Sequence, residues 1–141
     1  MTATDTSQST ITSSTRTPGR AWNITLWVLQ ALVAAFFVFA GGIKLAGDPT
    51  AVQAFDTIGL GQWFRYFTGA VEIAGGIGLL IPRLMGLAAL GLVAVLVGAI
   101  ITEFSIGGSP TNPVPFLLVV GLIAYGRRGA VTALTKRRGS D

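Results

Sequence analysis

The chain has 141 residues, 51% hydrophobic and only 11% charged, with a mean hydropathy of +0.67. Soluble domains carry about 25% charged residues, so this composition does not suit a water-facing globule, and the length allows one domain at most. Cys and His are both absent, which excludes disulfides, thiolate metal sites, iron–sulfur clusters, imidazole bases and His-ligated haem or zinc. The net charge of +4 reads, in so apolar a chain, as membrane topology and lipid contact rather than nucleic-acid binding.

Residues 1–19 form a separate region. Eleven of the first seventeen residues are Ser or Thr, too polar to offset the entropy of ordering, and the segment reads as a disordered tail. Ile24 to Ile43 is then twenty residues without a charge. That is about 30 Å of helix, the thickness of a bilayer core. A signal peptide cleaved after Ala40 is the competing reading, but its apolar region would be only about 7–15 residues long.

In the first connection, Ala46 to Gln62, apolar Ala51, Val52, Ala54, Phe55 and Ile58 recur at helical spacing around Gln53 and Asp56. This predicts a short amphipathic helix, lying on the outer surface or tucked over the bundle, ended by Gly59 and Gly61. Phe67 to Pro82 is apolar except for Thr68 and Glu72, with Trp63 and Tyr66 as interfacial aromatics. Leu84 to Ile101 is a third run, and Pro82-Arg83 makes the pair a tight hairpin. A turn-rich loop from Ser105 to Asn112 leads to the fourteen-residue run Pro113 to Gly126. Asn112 is its expected cap, and Pro113 suits a first helical position. This run is a fourth span or an interfacial helix; Tyr125 and Arg127-Arg128 resemble an interfacial stop and favour the span.

The expected fold is therefore all-α: a four-helix transmembrane bundle over residues 20–128, with a short amphipathic helix in its first outer loop and a basic cytoplasmic tail at 129–141. Four spans place both termini on one side. That side holds Arg16, Arg20, Arg83, Arg127, Arg128, Lys136, Arg137 and Arg138, and the other only Lys44 and Arg65. The bias predicts a cytoplasmic (bacterial inner) membrane protein with both termini cytoplasmic. The cluster Lys136-Arg137-Arg138 reads as a stop signal or as a contact with anionic lipid.

Small residues recur at helical spacing, which in lipid lets backbones approach closely. Ala70, Ala74 and Gly78 form one stripe, Gly69, Glu72 and Gly76 a second, and Ala94, Gly98 and Thr102 a third. Glu72 falls near mid-membrane, where an unpaired carboxylate costs about 3 kcal/mol. Lys44 and Glu103 end the first and third runs at matching depth, so Lys44–Glu103 is the simplest pair by geometry. Lys44 to Glu72 needs about 13 Å of helical rise to be crossed. Arg65 lies two turns from Glu72 on one face. Lys44, Arg65, Glu72 and Glu103 are expected to form one interhelical network. It is a register-fixing structural network or a small-molecule, quinone or proton site; the remaining alternative is that the charges are exposed and uncoupled. Gln30 and Thr68 read as interhelical hydrogen-bonding residues.

Three segments carry a family resemblance. They are FFVFAGGIKLAGDP (36–49), GAVEIAGGIGLLIPR (69–83) and LMGLAALGLVAVLVGAIITEF (84–104). The lysine closing the first helix and the glutamate followed by small residues in the second resemble the DoxX and DoxX-like family of small four-helix membrane proteins, over about residues 24–126. Many members have a histidine after the third-helix threonine, where this chain has Glu103, so no metal or haem role carries over. The resemblance implies the fold, and through relatives associated with thiosulfate:quinone oxidation it implies a redox or stress-related setting. The expected function is an accessory or scaffold subunit without a cofactor of its own, partnered by the bilayer and by membrane or redox proteins or further copies of itself. A quinone-reactive oxidoreductase component, with quinone as cofactor, is the first alternative. A small transporter or proton pathway is the second.

Overall fold

A computed structural model describes residues 19–129 together with Thr132 and Lys136; the Ser/Thr-rich segment and most of the basic tail lie outside the described residues. Five helices follow in order: α1 (Arg20–Ala46), α2 (Pro49–Ile58), α3 (Gln62–Leu80), α4 (Met85–Ser105) and α5 (Pro113–Gly126). No strand occurs among the described residues.

Local chemistry sets the boundaries. α1 stops at Gly47, whose φ of 78° is left-handed and whose N–H closes on the carbonyls of Ile43 and Lys44. Asp48 then caps α2, accepting from the N–H groups of Thr50 and Ala51 at 3.0 and 3.3 Å, with Pro49 at the first helical position. Gly59, again at φ 78°, ends α2 as its sequence position predicts. Ile81 to Leu84 makes the tight turn expected at Pro82-Arg83. Asn112 does not cap α5 through its side chain. The N–H of Val114 is already taken by the Pro110 carbonyl, and Pro115 has no N–H to offer.

α2 is tucked over the end of the helices that holds Lys44 and Arg65. Its one buried residue, Phe55, packs on Phe64 of α3 at 5.8 Å between ring centroids, while Gln53, Asp56 and Thr57 face outward. The long helices pack α1 on α3, α3 on α4 and α4 on α5. Phe36 stacks on Phe116 at 4.1 Å and closes α5 back onto α1. The core, centred on Val33, Phe37, Leu79, Leu92, Val120 and Ile123, lies inside this ring.

The outward surface carries many large apolar side chains. Leu32, Phe39, Trp63, Leu87, Ile101 and Leu118 are each 60% or more exposed. α3 is inverted relative to a water-soluble helix: it buries Arg65, Gly69, Glu72 and Gly76 and presents Trp63, Phe67 and Ile77 outward. Apolar side chains all round a helix suit a surround of lipid. α1 and α4 are long and apolar enough to cross a membrane. α3 holds Arg65 and Glu72, which lower its hydropathy, and α5 has only 14 residues.

Candidate functional site

The α1–α3 contact sets the geometry of the charged residues. A Cβ on Gly41 would lie 2.5 Å from the Gly69 carbonyl oxygen and 2.7 Å from the Ile73 side chain. A Cβ on Gly76 would lie 2.9 Å from the Ala34 carbonyl oxygen. The two backbones touch at both places, which only glycine permits, and the antiparallel register is locked between them. In that register the Cβ of Lys44 stands beside Gly69. Glu72 is then one turn deeper, about 5 Å along the axis, within reach of a lysine side chain.

Lys44 Nζ donates to both carboxylate oxygens of Glu72, at 2.9 and 3.2 Å. The side chains are 21% and 9% exposed respectively. The pairing expected from flush helix ends, Lys44 with Glu103, does not form. α1 packs on α3 and α5 rather than on α4, which keeps Glu103 away from Lys44; α3 starts beyond the last turn of α1, so the supposed separation of about 13 Å from Glu72 collapses. Both partners of a buried pair pay desolvation, and it is recovered only with good geometry. The bidentate contact supplies that geometry.

Arg65 is 4% exposed and does not bond Glu72. Its Nη1 donates to the main-chain carbonyl of Lys44, and its Nε donates to Gln62 Oε1 at 2.6 Å. A cation at this carbonyl, which the Gly47 N–H meets only at 3.4 Å, complements the negative end of the α1 dipole. Gln62 Nε2 in turn donates to Asp56 Oδ1 at 2.6 Å and to the Val52 carbonyl at 3.2 Å. Arg65 therefore braces the end of α1, while Gln62 ties α3 to α2. The guanidinium also lies 4.3 Å over the Tyr66 ring.

Glu103 stands apart. Its half-buried carboxylate lies beside Gly108 in the α4–α5 loop, with no cation paired to it among the described residues. The structure thus brings Lys44, Arg65 and Glu72 together and leaves Glu103 out. Of the small residues, Gly69 and Gly76 meet α1, and Gly78 meets Ala88 of α4. Ala70, Ala74 and Gly98 lie on outward faces.

A second polar cluster occupies the opposite end. Gln30, fully buried, donates from Nε2 to the Leu79 carbonyl at 2.7 Å and accepts from Arg127 Nε at 2.8 Å. Arg127 Nη1 donates to Asn23 Oδ1 at 2.9 Å, and the guanidinium lies 5.2 Å over Trp27. Gln30 is the interhelical hydrogen-bonding residue expected from its position in an apolar run, whereas Arg127 reads from its position only as a stop signal. The pattern that pairs them is the polar Asn23 and Gln30 seven residues apart, two turns along one face of α1, opposite the end of α5. No three His, Cys, Asp or Glu residues are close enough to hold a metal ion among the described residues.

Apolar outward faces, two helices of membrane length and charges gathered between helices define a small all-helical protein of the membrane-associated class. The model of the DoxX-like family matches residues 28–126, and the chain belongs to that family. The matched span contains Lys44, Arg65, Glu72, Glu103, Gln30 and Gly126, and it ends one residue before Arg127. No curated protein and no solved structure matches the chain.

Proposed function

We propose that the chain is a four-span protein of the cytoplasmic (bacterial inner) membrane, with both termini cytoplasmic, acting as an accessory or scaffold subunit of a redox or stress-related membrane complex. The apolar outward surface of all four long helices carries this reading. Such a surface offers lipid and partner helices a continuous contact, whereas the polar groups of α1 and α3 are turned inward onto one another. α3 crosses because its two charges are sheltered, and α5 crosses with its outer and inner ends completed by the Pro110–Asn112 and Arg127–Arg128 flanks. Lys44, Arg65 and Glu72 act in this reading as a register lock. The redox setting rests on the family resemblance.

The test is isolation of the chain from its native membrane in mild detergent. Stoichiometric recovery with a membrane redox complex, and no absorbing redox centre in the chain once separated, supports the subunit role. A separated chain that turns over quinone by itself contradicts it.

A second reading, a quinone-reactive component, draws on the partial exposure of Lys44. Its ammonium has three N–H donors, and a quinone carbonyl approaching from the outer end could accept one while Glu72 holds the others. Quinone-dependent protection of the Lys44 amine from acylation would favour this reading over the scaffold. A transporter or proton pathway would require proton flux in proteoliposomes that Glu72→Gln abolishes.

A further inference from the structure

We propose that Arg127 forms the centre of a binding site for the phosphodiester headgroup of an anionic phospholipid, at the end of the bundle opposite the Lys44–Glu72 pair. The inference rests on the membrane reading above and adds a ligand to it.

Three observations carry it. First, cations at this end have no acidic neighbours among the described residues, whereas the cations Lys44 and Arg65 at the other end share it with all four acidic residues described. Among the described residues, Arg20, Arg83, Arg127, Arg128 and Lys136 occupy this end or follow it in the chain, whereas Asp48, Asp56, Glu72 and Glu103 all lie towards the other. Second, Arg127 is anchored without being neutralised. Its partners, Gln30 Oε1 and Asn23 Oδ1, are neutral amide oxygens, and no carboxylate pairs with it among the described residues. Third, its Nη2 is a buried donor with no acceptor among the described residues, on a side chain that is itself partly exposed. A charged donor in that state costs stability until an acceptor arrives.

Contacts from three helices position the guanidinium. Gly126 packs so closely on Leu26 that a Cβ there would lie 2.8 Å from the leucine methyls. Gln30 is itself held by the Leu79 carbonyl, so α1, α3 and α5 jointly fix the guanidinium. The aromatic rings of Trp27 and Tyr125, 5.2 and 4.9 Å from the Arg127 and Arg128 guanidinium carbons, provide an amphipathic rim of the kind found at headgroup level. With Nε and Nη1 already engaged, the N–H groups of Nη2 remain for a phosphate oxygen, held in a fixed plane that lysine does not supply. At this depth a membrane offers one abundant anion, the lipid phosphodiester.

The experiment uses the full chain in detergent, with native mass spectrometry and thermal unfolding in the presence of phosphatidylglycerol, phosphatidylcholine or inorganic phosphate. Phosphatidylglycerol is expected to be retained in preference to phosphatidylcholine and to raise the unfolding temperature, with inorganic phosphate inert. Arg127→Gln should reduce the preference about fivefold, the effect of one interfacial basic residue. Arg127→Lys, which keeps the charge and loses the fixed planar donor, should fall between wild type and Arg127→Gln. Exposed Arg128→Gln should lose less than Arg127→Gln. Equal losses at 127 and 128, a wild-type preference in Arg127→Lys, equal retention of both lipids, or an equal response to inorganic phosphate would each overturn the site. If Arg127→Gln does not fold, the wild-type lipid comparison and Arg127→Lys decide. Carbonate-resistant insertion is scored on the same proteins: insertion without lipid preference removes this site alone, and failure to insert removes the membrane reading beneath it.

Discussion

Removing either half of the Lys44–Glu72 pair should destabilise the bundle unequally. In Lys44→Met, Glu72 stays nearly buried one turn below the end of α1, on a short side chain that cannot reach water. Arg65 does not bond Glu72, its Nε and Nη1 being held by Gln62 and the Lys44 carbonyl. The expected loss is about 3–5 kcal/mol, the scale for an uncompensated buried charge. In Glu72→Leu, Lys44 remains in the last turn of α1 with a fifth of its side chain already exposed. It can extend to the outer interface, so the loss is about 1.5–3 kcal/mol, that of a charge-assisted hydrogen bond. The double variant removes both charges and should return to within about 1 kcal/mol of wild type. The cycle is clean at one further point: Arg65 bonds the main-chain carbonyl of residue 44, which Lys44→Met preserves. Unfolding of the purified chain by SDS titration, followed by tryptophan fluorescence, reads all three values. Additive losses in the double variant, or a Glu72→Leu protein as stable as wild type, would refute the pairing.

Other consequences follow from the same contacts. Gly41→Ala should lose about 1–3 kcal/mol, because its Cβ collides with the backbone at Gly69, whereas Gly98→Ala, which meets nothing within 4 Å, should be neutral or gain up to about 1 kcal/mol of helix propensity; the same SDS titration compares them. Arg65→Lys should lose about 1–3 kcal/mol, since one ammonium cannot hold both Gln62 and the Lys44 carbonyl, and it should speed cysteine labelling in α2 at Val52. Gln30→Leu should cost about 1–3 kcal/mol by leaving the Leu79 carbonyl and Arg127 Nε without partners, seen as a lower unfolding temperature in detergent.

The helices were legible because their ends carry chemical signals. Gly59 closes α2, Pro113 opens α5, and Pro82 breaks α3 from α4, each at a place that the residue type dictates. The apolar runs between them could hardly be anything but helix. The depth of one helix relative to another was not legible. Lys44 is assigned to Glu103 by matching helix ends and to Glu72 only by the Gly41–Gly69 contact, a tertiary fact invisible to residue spacing. The α2 segment hid this offset, since a helix folded across the gap and a loop of equal length look alike in their effect on register. Arg127 was hidden differently. A basic residue after an apolar run is the ordinary mark of a span's end, and its bond to Gln30 joins positions 97 residues apart. Asn112 shows the converse: a favoured capping residue left idle because Pro115 supplies no donor.

Single-cysteine labelling in sealed vesicles addresses the proposed topology most directly. This chain has no native cysteine, so Ser7→Cys and Gly107→Cys can each be probed with a membrane-impermeant maleimide without background. Four crossings predict that Gly107→Cys reacts from the periplasmic side and Ser7→Cys only from the cytoplasmic side. Reaction of both from the same side would contradict the bundle's orientation in the membrane and the roles assigned to its two ends.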